Sequence, residues 1–135
     1  DEPTAGLDPG ERNRFYNLLA EIGQEVIVIL STHIVDDVKE LCTEMAIMDM
    51  GKIIFQGTPK AAIDALIGNV YQKRIELREL KSYSEEYHLI SNKMVGGKPL
   101  IHILSNTHPQ GGFEQVAPNL EDVFFSKIKS PNILV

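Results

Sequence analysis

The chain has 135 residues, 43% apolar and 24% charged, with 13 basic against 19 acidic side chains for a net charge of −6. That length suits one domain or two small ones, and the composition supports a packed core. The acidic balance excludes a general polyanion-binding surface, which makes nucleic acid a poor partner, and no apolar run approaches the ~18 residues that span a bilayer.

In chain order, Asp8 is placed to cap a helix, with Pro9 at its first position and Glu11 three residues after the cap. Phe15, Leu18, Leu19 and Ile22 recur on one helical face, and Gly23 can end it. Val26–Leu30 is a continuous apolar run rich in β-branched residues, which predicts a strand covered on both faces within a parallel sheet. Ile34, Val38, Leu41 and Cys42 line a second helix, with Asp36 and Asp37 near its positive end. Met45–Met50 and Lys52–Gln56 read as two strands joined through Gly51, and Thr58-Pro59 opens a third helix bearing Ala62, Ile63, Leu66 and Ile67.

The texture changes near residue 68. Ile75 and Leu77 alternate with Glu76 and Arg78, the period of a strand with one wet face. Ser82 with Glu85 can cap a short helix through Ile90, and Ser91–Val95 with Pro99–Leu104 read as a hairpin around Gly96-Gly97. Asn106–Gly112 is loop by composition and Phe113–Val116 a short strand. Asn119 with Asp122 caps a last helix bearing Leu120, Val123, Phe124 and Ile128, and Lys127 and Lys129 put positive charge near its end. His88, His102 and His108 show no metal-ligand spacing with one another or with Cys42. The single cysteine allows no internal disulfide, which fits a reducing cytoplasm.

Function is concentrated in two strings. Asp1-Glu2-Pro3-Thr4-Ala5-Gly6-Leu7-Asp8-Pro9 resembles the end of the Walker B strand and the D-loop of an ABC-transporter ATPase, and Ser31-Thr32-His33 resembles the H-loop of that family. Taken singly these residues have plainer explanations: a solvated Asp-Glu turn, a helix cap, a surface histidine. Their order decides for the family: acidic pair, capped helix, apolar strand, then Ser-Thr-His. Met45–Ile53 and Gln56–Pro59 resemble the strand pair and helix start that follow the H-loop. Ala117–Phe124 is similar to the string that closes the ATPase subunits of ABC-2 type exporters.

The resemblance implies an α/β fold: the C-terminal part of a P-loop NTPase (RecA-like) ABC ATPase domain over residues 1–68, then a small α+β accessory domain over 69–135. It implies ATP and Mg²⁺ as cofactors, Asp1 as the metal ligand, Glu2 and His33 as catalytic residues, and Asp8 and His33 as nucleotide contacts. It also implies a second ATPase subunit and a transmembrane permease as partners, on the cytoplasmic face of the membrane. The sequence has no G-x-x-x-x-G-K-[ST] loop and no LSGGQ-type signature, and its first residue already lies inside the Walker B motif. The expectation is therefore a fragment that is inactive alone. The alternative is a non-catalytic dimerisation or partner-docking module.

Overall fold

In the computed structural model, which describes residues 1–128, Asp8 caps the first helix as its position predicts. Its Oδ1 accepts the Glu11 N–H at 2.8 Å, and Glu11 Oε2 accepts the Asp8 N–H at 3.5 Å. This capping box starts α1, Pro9–Ile22, and Gly23 follows it. A second helix, α2, runs over Val35–Leu41. Lys129 lies outside the described residues.

Two compact units divide the chain between Met45 and Ala46. The first has no buried apolar side chain; Thr4 and Asp37 are its buried residues. The helical face expected on α1 is accordingly only partly covered, with Leu18 and Ile22 exposed and Phe15 and Leu19 half-buried. Val26–Leu30 departs from expectation in the same way. It is not a strand, and Ile27 and Ile29 are 94% and 91% exposed. A strand exists through its ladder, and among the described residues no segment pairs with this one. At its start the Val26 N–H still donates to Ile22 O at 3.2 Å, and just beyond its end Ser31 O accepts the Glu2 N–H at 2.6 Å. The parallel sheet expected of an ATPase core is thus not assembled within these residues.

The second unit opens with a hairpin, β1 (Met45–Asp49) and β2 (Lys52–Gly57). Its turn residues Met50 and Gly51 have φ of 51° and 76°, the left-handed conformations a two-residue turn needs to match strand twist. Helix α3, Pro59–Asp64, is capped by Thr58, whose Oγ1 accepts the Ala61 N–H at 3.0 Å. It buries Ala62, and Leu66 is buried just beyond it.

A four-stranded antiparallel sheet follows, in the order β4 (His88–Val95), β5 (Lys98–Leu104), β3 (Val70–Arg74), β6 (Glu114–Gln115). The strand expected around Ile75 and Leu77 lies earlier, at Val70–Arg74. The chain leaves the sheet at Ile75, and a reciprocal Glu76–Glu79 capping box turns Leu77–Glu79 into a 3₁₀ segment with Leu77 exposed. Helix α4, Leu80–Glu86, continues from it, so Ser82 lies inside the helix rather than capping it. Ile90 belongs to β4, where it is the extra residue of a bulge: Leu89 pairs with Ile103 and Ser91 with His102. Gly96 and Gly97, at φ of 58° and 80°, make the tight β4–β5 turn.

Pairing parity sorts the side chains. Leu89, Ile101, Ile103 and Tyr71 share one face and form a buried cluster with Ile75 and Phe113, against which Leu80, Tyr83 and Tyr87 pack. His102 and Lys93 share the other face, against which α5 (Leu120–Lys127) lies. Lys93 pairs there with Glu121 at 2.8 Å, and His102 Nδ1 meets Asp122 Oδ1 at 2.7 Å. Asp122 is fully buried, and its Oδ2 also accepts the Asn119 N–H at 3.0 Å, closing the capping box of α5.

Candidate functional site

The two strings singled out in the sequence meet in the first unit. Glu2 N–H donates to Ser31 O, Ser31 Oγ donates to Asp1 Oδ1 at 2.8 Å, and His33 N–H donates to Glu2 Oε1 at 3.0 Å. His33 Nδ1 also lies 2.8 Å from Glu2 Oε2, a contact not aligned as a hydrogen bond. Residues thirty positions apart in the chain are thereby held side by side, with the imidazole itself 78% exposed. Glu2 reaches this position with φ of 47°. A left-handed backbone at a non-glycine residue costs about 1–2 kcal/mol, strain of the kind that collects at functional sites. After Glu2 the chain folds back through turns closed by Ala5 N–H to Glu2 O and Leu7 N–H to Thr4 O. Gly6, at φ of 81°, supplies the conformation the second turn needs.

Beneath this contact lies Asp37, fully buried. Its Oδ1 accepts from Tyr16 at 2.6 Å and its Oδ2 from Thr32 at 2.9 Å, while the single Thr4 hydroxyl proton is shared between the two oxygens at 2.8 and 2.7 Å. Burial pushes the Asp37 carboxyl up, but the hydroxyls of Tyr16, Thr4 and Thr32, with the charge of Arg12, outweigh it and hold the group below its ordinary value. The Tyr16 phenol is pushed well above its ordinary value by burial, by its hydrogen bond to Asp37 and by that carboxylate's charge. Cys42, half-buried, is raised by burial and then by the Asp37 charge.

The structure thus gathers Asp1, Glu2 and His33. Asp8 is engaged separately in its helix cap. Sequence reading placed Asp37 only as a helix-start acid. What gives it a role is three hydroxyls from three distant segments, and no local spacing reports that. Among the described residues, no group of three or more His, Cys, Asp or Glu gathers as a protein-built metal cage.

Comparison with known proteins bears directly on these strings. No protein-family model matches the chain. The energy-coupling factor transporter ATP-binding protein of Clostridioides difficile (strain 630) is 42% identical over 62 residues, 44% of this chain and 22% of that protein. The Nod factor export ATP-binding protein I of Cupriavidus metallidurans (strain ATCC 43123 / DSM 2839 / NBRC 102507 / CH34) is 30% identical over 138 aligned positions, 92% of this chain and 44% of that protein. This chain is a relative of the ABC-transporter ATP-binding subunits. The daunorubicin/doxorubicin resistance ATP-binding protein of Streptomyces peucetius, also of this kind, is 33% identical over 95 residues, 70% of this chain and 28% of that protein. The chain spans less than half the length of each of these relatives.

The ATP-binding relatives imply the use of ATP. Mg²⁺ in phosphate sites is held by one or two carboxylates, substrate oxygens and water rather than by a dedicated cage. Asp1, whose Oδ1 accepts from Ser31 Oγ at 2.8 Å, offers one carboxylate of that hard-oxygen type. Among the described residues, no helix is long and apolar enough to cross a membrane.

Proposed function

We propose that this chain is the distal portion of an ATP-hydrolysing subunit that powers export through a membrane permease. The observation that carries the reading is the contact of Glu2 with His33, with Asp1 alongside. Asp1 would hold Mg²⁺, which when bound neutralises phosphate charge. Glu2 orients the attacking water and accepts its proton, a role that suits a carboxylate held beside the phosphate-binding histidine. His33, with an exposed ring, donates to the γ-phosphate. Asp8, on the turn after Glu2, reaches the nucleotide across a dimer of such subunits while capping α1. Residues 1–68 form the ATPase part and 69–135 the accessory part. The breadth of the match to a protein named for export supports the direction of transport. The subunit would sit at the cytoplasmic face, bound to its permease.

The test uses the complete subunit. Glu2→Gln should abolish hydrolysis and leave ATP binding intact, because it keeps size and removes the proton acceptor. His33→Ala should lower turnover at least tenfold by removing a donor to the transferring group. Near-normal turnover in both refutes the roles. The uncovered apolar run Val26–Ile29 favours a second reading, a self-associating module without catalysis. Sedimentation showing a nucleotide-independent dimer, with no turnover in the complete subunit, would support it.

A further inference from the structure

Asp37 does something that neither helix formation nor core packing requires. In a unit with no buried apolar side chain, its carboxylate and Thr4 are the buried groups. An isolated buried carboxylate is strongly unfavourable, and only dense hydrogen bonding offsets the loss of water. Here the compensation comes from outside its own helix. Thr4 lies two residues after Glu2, and Thr32 lies one residue before His33. Tyr16 adds the middle of α1. Thr32 Oγ1 also accepts the Ile34 N–H at 3.0 Å, which ties the carboxylate to the start of α2.

We propose that Asp37 is a positioning residue that clasps the Glu2 segment to the His33 segment and sets the distance between the water-orienting carboxylate and the phosphate-binding imidazole. The proposal rests on the catalytic reading of Glu2 and His33 for its functional half; the clasp itself stands on geometry alone. The exposed bonds between Glu2 and His33 compete with solvent, and substrate would have to separate or reorient them. The buried hub beneath does not face that competition, so it can keep the two segments in register while the groups above it change partners. Asp37 itself touches no reacting atom.

The discriminating variant is Thr4→Val, which keeps shape and removes the one hydroxyl proton that both carboxylate oxygens share; Thr4→Ser restores it. On this chain, Thr4→Val should speed exchange of the His33 amide about tenfold, as expected for losing a hydrogen bond to a charged group, while α1 amides remain unchanged. Asp37→Asn should return the Tyr16 phenol toward its ordinary titration range, read by ultraviolet absorbance. In the complete subunit, Thr4→Val should lower kcat about tenfold at an unchanged KM for ATP, and Thr4→Ser should recover it. An unchanged His33 amide, equal loosening of α1, or a fall in kcat that serine does not rescue would each overturn the proposal. If Glu2→Gln leaves hydrolysis intact, the catalytic reading fails, while amide exchange still judges the clasp.

Discussion

Asp8 allows a helix cap and a nucleotide contact to be separated by one substitution series. Its side chain accepts the Glu11 N–H, and its own backbone N–H is taken by Glu11, so Asp8→Ala removes the side-chain half of the box and leaves the backbone half in place. Loss of an N-cap acceptor costs about 0.5–2 kcal/mol, and the negative charge at the helix start adds about 0.3–1 kcal/mol. Here α1 has 14 residues and none is buried, a length at which isolated helices are marginal in water. A change of about 1 kcal/mol is a factor of about five in the local equilibrium, so amide protection across Arg12–Ile22 should fall about fivefold or more in Asp8→Ala. Asp8→Ser keeps the acceptor without the charge and should recover most of it. Hydrogen exchange followed by NMR on the 135-residue chain measures both. Less than a twofold change in Asp8→Ala would show that α1 is held by something other than its cap. In the complete subunit, Asp8→Ser then asks a separate question: turnover that stays low with the helix restored assigns the carboxylate to the nucleotide.

Calorimetry of the isolated chain with Mg-ATP should show no micromolar binding, because a phosphate-cradling loop is not among its residues; a micromolar dissociation constant would refute the fragment reading. Ile101→Ala, at a fully buried position in the sheet cluster, should destabilise the second unit by about 2–5 kcal/mol in urea unfolding followed by circular dichroism, and a loss under about 1 kcal/mol would mean the cluster is loosely packed. The Asp37 tether should also set a pH window. Its carboxyl is lowered, so its contribution is complete above the ordinary carboxylate value of 3.8 and fades as pH falls through its folded value; the Tyr16 phenol is raised, so its contribution is complete below 10.0 and fades at higher pH. Protection of the Asp37 and Cys42 amides, which α2 bonds to the Ile34 and Val38 carbonyls, should be flat between those limits; a drop near neutrality would contradict the assignment.

Local chemistry was legible wherever a residue's own neighbours decide its conformation. Asp8, Thr58 and Asn119 cap the helices their spacing announced, and Gly96-Gly97 turns the hairpin it marked. The Glu2–His33 juxtaposition followed from the family resemblance, not from any periodicity. Val26–Leu30 misled because β-branched apolar composition reports a preference for burial, and burial needs a partner that these residues do not supply. The strand near Ile75 was misplaced because Glu76 and Arg78 look like the wet face of a strand, whereas Glu76 closes a capping box with Glu79 and turns the chain. Asp37 stayed hidden because its partners are 33, 21 and 5 positions away, with nothing local to link them.

The bulge in β4 has a consequence for how this chain can change in length. Inserting or deleting a residue in a paired strand normally reverses the facing of everything beyond it, which a sheet covered on both sides cannot accept. At Ile90 that rule is suspended. Leu89 already stands opposite Ile103 and Ser91 opposite His102, so excising Ile90 joins two neighbours whose facing is already correct. The loss would be one fully buried side chain and the local bend, not the register. The sheet therefore contains, in an edge strand, a position where the gene could lose a codon and the remaining strand would still know which way to point.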